Sequence, residues 1–209
     1  MNALTASASA PEPAPQHPVP PAPRVLVTGS RDWTETEQIE QTLDVALALL
    51  QVPLATENTM TLVHGDAKGL DTLAAQVAAA RGWMVESHPA QWNKHTEACP
   101  AWHVTPVPQP TCKMAGHRRN HEMIALGADL VIAFPTGDEA SGLTRGTWGC
   151  ARAAMNAQLP TVILWKESLH PWGPKAQRLV LAERVCAFAE PALHTAAPVR
   201  LGTLAPLPF

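Results

Sequence analysis

The chain has 209 residues, 46% of them hydrophobic and 16% charged, with 15 Lys+Arg against 18 Asp+Glu for a formal charge of −3. That is one globular domain's worth of core with some trailing sequence, and it excludes the broad phosphate neutralisation of a general DNA binder and the polybasic face of a membrane-surface protein. No run approaches the roughly 18 apolar residues of a membrane span, and the N-terminus lacks a basic segment followed by an apolar stretch, so a cytoplasmic setting is expected. Four cysteines are too few for a disulfide framework and read as core residues, metal ligands or free thiols.

Residues 1–23 hold seven prolines and no Lys or Arg, a composition that sustains neither helix nor sheet, and they are read as a disordered Pro/Ala-rich tail. The domain is expected over 24–166, where short β-branched runs alternate with longer helical patterns, the pattern of a parallel sheet covered by helices. The first strand is Arg24 to Thr28. A turn and a helix follow from about Thr34 to Gln51, with Thr34 or Thr36 as the cap. Met60 to His64 is the second strand. The next helix runs to about Arg81 with Leu70, Leu73, Ala74, Val77 and Ala78 on one stripe, and Gly82 ends it. Met84 to His88 is strand three. Residues 89–116 then form an inserted connection rich in Pro, His, Cys and Trp, far longer than the usual 2 to about 6 residues, which predicts a functional or metal-stapled loop. A helix from His117 to Leu126 leads to a strand over Asp129 to Phe134, a Gly-rich loop, a helix from about Thr144 to Ala157, and a fifth strand over Thr161 to Trp165. Residues 167–209 are read as a C-terminal extension, with a helix over 174–188 and a tail. The fold class is therefore α/β: a Rossmann-like, doubly wound, mainly parallel sheet of about five strands with helices on both faces. Ligands bind such sheets outside the C-terminal strand ends, at the topological switch point.

The loops on that edge pair small residues with donors. Gly29, Gly65, Gly69 and Gly146 let backbone N–H groups approach an anion at helix N-termini. Ser30, Thr144 and Thr147 add hydroxyls, and Arg31, Lys68, Arg118, Arg119 and Arg145 add charge. One such loop is an ordinary turn; four on one edge predict a phosphate-bearing ligand.

The succession VLVTGSRDW (Val25–Trp33), LVHGDAKGLDTLA (Leu62–Ala74), RRNHEM (Arg118–Met123), GADLVIAFPTG (Gly127–Gly137) and TRGTWGC (Thr144–Cys150) resembles the YspA-like, YpsA-related branch of the SLOG superfamily, which groups the Smf/DprA proteins with the Lonely-guy proteins. The resemblance implies a modified Rossmann-type sheet and binding of nucleotides or nucleotide-derived ligands. Lonely-guy enzymes cleave the N-glycosidic bond of cytokinin riboside monophosphates with an Arg-Lys-x-x-Met motif and a Pro-Gly-Gly-x-Gly-Thr-x-x-Glu loop, whose Glu and Arg are catalytic. Here Arg119 stands for the Arg, the one catalytic position carried over, Asn120 stands where the Lys does, and Cys150 stands where the Glu should be. The carboxylate that would stabilise an oxocarbenium-like centre is missing from its expected place.

Several residues keep two readings. Arg31 reaches a phosphate or stacks on a base, or else pairs with Asp32 or Asp66. Asp71 is a helix-start carboxylate or a ribose contact. Asp66, like Asp71, Asp138 or Glu122, is a substitute for the missing carboxylate. Trp33 and Trp148 stack on a base or pack on the sheet. Cys150 and Cys186 read as core, with a reactive role for Cys150 as the sharper alternative. In the inserted connection His95, Cys99, His103 and Cys112 suit a tetrahedral structural zinc, against a free-thiol loop docked by Trp92 and Trp102. Function is read as binding of a small nucleotide-derived ligand (ADP-ribose- or NAD-like, or a nucleoside monophosphate) by a sensor or carrier. The alternatives are a phosphoribohydrolase and, last, a DprA-like single-strand binder, for which the basic residues are few. No membrane partner is expected and no cofactor beyond the zinc. Homo-oligomerisation is left open.

Overall fold

The computed structural model describes residues 21–52, 59–97, 99–100, 104–105, 111–165, 168–178 and 200–201. The tail of residues 1–20, most of the 174–188 helix, His103, Trp102 and Cys186 lie outside them. Five parallel strands form the centre: β1 (Arg24–Gly29), β2 (Thr61–His64), β3 (Met84–Ser87), β6 (Leu130–Phe134) and β7 (Thr161–Trp165). Between β3 and β6 the long connection carries a small antiparallel pair, β4 (Val104–Thr105) and β5 (Thr111–Cys112). Two strands extend the sheet past β7: β8 (Ser168–Trp172), antiparallel to it, and β9 (Arg200–Leu201), giving the order β3-β2-β1-β6-β7-β8-β9. The sequence reading missed β8 because Pro171 lacks a donor for the ladder, yet Pro171 stands opposite Val162 on the outer side of the parallel block.

Strand alternation sends one set of side chains to each face. Val25, Val27, Leu62, Leu130, Ile132 and Phe134 meet α1 (Thr36–Leu49) and α2 (Leu70–Ala80) through Ile39, Leu43, Leu70, Ala74 and Val77. Leu26, Val63 and Val131 meet α3 (Ala115–Ala125) and α4 (Arg145–Asn156) through Met123, Ile124, Cys150 and Ala154. The helix starts differ from expectation. Neither Thr34 nor Thr36 caps α1; Glu35 holds the cap position without a side-chain bond. The helix expected from His117 begins two residues earlier, at Ala115, so the donors of residues 118–120 stand in the first turns of α3. Trp33 and Trp148 both pack inward: Trp33 lies edge-on to Phe134 at 5.4 Å, and Trp148 lies against Trp165 and Trp172 with its indole N–H donating to the Gly137 carbonyl.

β1 lies between β2 and β6, and the connections leave it in opposite directions. The crevice outside the C-terminal ends of β1 and β6 is thus the topological switch point of the sheet.

Candidate functional site

A cavity of about 490 Å³ opens at that crevice. Ten of the residues expected at the site line it: Gly29, Ser30 and Arg31 after β1, Asp71 in α2, Arg119 and Asn120 in α3, and Thr144, Arg145, Gly146 and Thr147 at the start of α4. Gly65, Asp66, Lys68, Gly69 and Arg118 do not.

The glycines behind the wall set its shape. A Cβ on Gly65 would stand 1.6 Å from Nη1 of Arg119, so the bare backbone at the end of β2 is what lets that guanidinium lie flat across it. Gly69 has φ +73, and a Cβ there would fall 2.3 Å from the Arg31 carbonyl oxygen, so it draws the first and second loops together. The Ser30 carbonyl accepts the Leu70 amide at 3.1 Å across the same junction. Asp71, buried, accepts the Gly65 and Ala67 amides on Oδ2 at 3.0 and 3.2 Å and so fixes the β2–α2 turn. Burial raises its carboxyl pKa against those bonds and the Arg119 charge. His64 is buried beneath the turn; its Nδ1 accepts the Asp66 amide at 3.1 Å, and burial lowers its pKa.

Arg119 is the centre of the positive wall. It donates from Nε to Asn120 Oδ1 at 2.8 Å and from Nη1 to the His88 carbonyl at 3.1 Å, while Asn120 Nδ2 reaches the Gly146 carbonyl at 3.4 Å and ties α3 to α4. Burial lowers the Arg119 pKa, with Asp71 opposing: the protein has desolvated this cation without giving it a contact ion pair among the described residues. Just before α4, Thr144 holds φ 52 and ψ 37, a left-handed conformation that a β-branched residue adopts only under constraint, and its buried hydroxyl has no hydrogen-bond partner among the described residues. The Thr144 carbonyl takes the Thr147 and Trp148 amides, so the Arg145 and Gly146 N–H groups remain as the helix's first donors. Gly146 and Gly149 both line the cavity, and a Cβ on either would meet nothing within 4 Å, so the space beside α4 is open because these side chains are absent.

Trp92, in the long connection, supplies the aromatic wall, with the Arg31 guanidinium 5.7 Å from its ring centroid. Sequence reading had given Trp92 only a docking role and did not name Lys113 and His117, which also line the cavity. The signal for Trp92 was its place in a connection too long for its topology.

Arg118 points elsewhere. Its Nη1 donates to Cys99 Sγ and Cys112 Sγ at 3.2 and 3.1 Å, and its Nη2 to the Lys94 carbonyl at 2.6 Å. The two sulfurs are 3.7 Å apart. Among the described residues no three or more of His, Cys, Asp and Glu are gathered to hold a metal ion, so His95 does not join the pair. Cys150 is fully buried in the α3–α4 face, and burial pushes its thiol up to about 11, so it neither titrates near neutrality nor lines the cavity.

A doubly wound α/β sheet with a cavity at its switch point defines the class of protein. Within that class, the chain belongs to the YspA, cpYpsA-related SLOG family, whose model matches residues 23–95. The Gene 61 protein of Mycobacterium phage D29 is 34% identical over 144 residues, which are 66% of this chain and 94% of the phage protein. Among solved structures, DNA processing protein A (DprA) from Streptococcus pneumoniae matches with a TM-score of 0.47 at 19% identity, over 77% of this chain and 56% of its own. Among the described residues no helix is long and apolar enough to cross a membrane.

Proposed function

We propose that the chain binds a nucleotide or nucleotide-derived ligand, with its phosphate against Arg119, Thr144, Thr147 and the first amides of α4 and its base against Trp92. Family membership supports a nucleotide-related role in general. The observation that carries the finer reading is a half-buried Arg119 without a contact ion pair among the described residues, lining one cavity with the first residues of α4, since a partly desolvated cation lowers its free energy by receiving an anion. The volume, about 490 Å³, lies within the roughly 300–1,000 Å³ of small-molecule sites. Titration calorimetry with AMP, ADP-ribose and NAD tests the reading. At least one of these should bind, and Gly146→Leu, which fills open space beside α4, should abolish the heat while the circular dichroism spectrum stays unchanged. Absence of binding by every phosphorylated nucleoside tried would overturn it.

A second reading, hydrolysis of a nucleoside monophosphate to free base and ribose 5-phosphate, rests on one observation: Asp71 brings a buried carboxyl to the same cavity. Release of base from AMP that vanishes in Asp71→Asn while AMP still binds that variant would support it, because Asp71 also fixes the β2–α2 turn, and the buried Cys150 has no part in it.

A further inference from the structure

The connection between β3 and α3 carries a second reactive cluster, away from the lining of the cavity. Cys99 and Cys112 lie thirteen residues apart in sequence and bring their sulfurs to 3.7 Å, which is contact distance for two thiols. Cys112 is buried and Cys99 is partly exposed. One guanidinium nitrogen of Arg118 donates to both sulfurs, at 3.2 and 3.1 Å, and the Thr96 hydroxyl lies 3.3 Å from Cys99 Sγ. A cation held against a half-exposed sulfur stabilises thiolate, and a second sulfur in contact stands ready to displace whatever forms on the first. Hydrogen bonding by Thr96, ahead of the contributions of Cys112 and Arg118, also holds the Cys99 thiol below its usual range.

We propose that Cys99 and Cys112 form an oxidation site for peroxides, in which Cys99 is the attacking thiolate, Cys112 the resolving thiol and Arg118 the positioning residue. The Cys99 thiolate attacks one oxygen of hydrogen peroxide, the O–O bond breaks, and with one proton the products are Cys99 sulfenic acid and water. Cys112 then attacks the Cys99 sulfur, expelling a second water as the disulfide forms. Overall two thiols and one peroxide give one disulfide and two waters. The oxidised pair fastens residue 99 to the strand that leads into α3 and takes both acceptors from Arg118.

The site is tested on the full-length chain, reduced, freed of reductant and treated with stoichiometric hydrogen peroxide. Peptide mapping should show a Cys99–Cys112 link that dithiothreitol reverses, forming at least ten times faster than oxidation of Cys150. Arg118→Ala should slow the first step about tenfold at neutral pH and move its pH profile upward, and Arg118→Lys, which keeps the charge, should restore most of the rate. Wild-type reactivity alone decides the matter if the variants fail to fold. Peroxide consumption no faster than at an ordinary free thiol would overturn the proposal. So would a tightly held zinc ion, found by elemental analysis of the reduced protein and lost in both Cys99→Ser and Cys112→Ser. Neither result bears on nucleotide binding, which is read by calorimetry on the reduced chain.

Discussion

The wall of the cavity built by the sheet and the wall built by the long connection are held by different physics. On the sheet side, β1 and β6 are buried on both faces, and Phe134 at the end of β6 fixes the crevice by three contacts: its carbonyl accepts the Ser30 amide at 3.2 Å, its ring meets Trp33, and its strand pairs with β1 through Gly29. On the other side, Trp92 is 41% exposed and is placed by two backbone bonds, from the Cys112 amide to its carbonyl at 2.7 Å and from its own amide to the Ala90 carbonyl at 3.1 Å, and by the Arg31 guanidinium over its ring. Hydrophobic burial specifies the first wall cooperatively with the fold. A few polar contacts specify the second, which can therefore change without the fold changing.

That contrast can be broken at four points. Phe134→Ala should remove about 3–5 kcal/mol of stability, measured by chemical denaturation, because a fully buried ring leaves a cavity between α1, α2 and the crevice. A loss below about 1 kcal/mol there would mean that the sheet wall is not what holds the site. Arg119→Ala should cost about 1.5–3 kcal/mol of nucleotide affinity, roughly 10- to 150-fold in Kd by calorimetry, while relieving a desolvated charge and leaving the melting temperature the same or higher. Trp92→Ala should weaken binding by about 1–3 kcal/mol, the scale of one base stacked on an aromatic ring, with no change in denaturation midpoint. A fall in stability would show that the connection is part of the core after all.

The smallest effect is electrostatic. Arg24 forms an ion pair with Glu86 across β2, and that bond, ahead of His88, holds the Glu86 carboxyl down to about 2. A carboxylate whose pKa is lowered in the folded state contributes stability that is present above the ordinary value near 4.5 and is lost as pH falls from there towards 2. The pair is about a third exposed, so solvent screening limits it to at most about 1 kcal/mol. Glu86→Gln should accordingly lower the urea midpoint at pH 7 by no more than that amount and flatten the curve between pH 4.5 and 2, where variant and wild type converge.

The two walls were not equally legible in the sequence. Alternation of Val25 and Val27 against Leu26, and the stripe through Leu70, Ala74 and Val77, carry the parallel sheet and its two helical layers, because burial on a periodic element leaves a periodic trace. The rim donors after β1 and at the start of α4 followed from topology. The adjacent arginines of α3 did not separate on composition, since both offer the same charge. They separate by helical phase: Arg119 lies one turn before Met123, which is in the core, while Arg118 lies one turn before exposed Glu122, about 100° away. That signal was available in the pattern. The left-handed Thr144 had no comparable trace, because a β-branched residue gives no local preference for it. Trp92 lies in a segment without periodicity, where only the three-dimensional course of the chain places it, whereas the approach of Cys99 to Cys112 in the same segment was expected from grouping them in one ligand set.

Gly146 and Gly149 interrupt α4 at positions where alanine would fit without a clash. In a helix interior such an exchange is worth about 0.5–1 kcal/mol in favour of alanine, which holds for Gly149, and less for Gly146 in the first turn. Directed evolution of this chain for heat resistance alone would then be drawn to those two codons and would shrink the cavity as it hardened the protein, whereas the same selection run with a tight-binding ligand present would leave them as glycine.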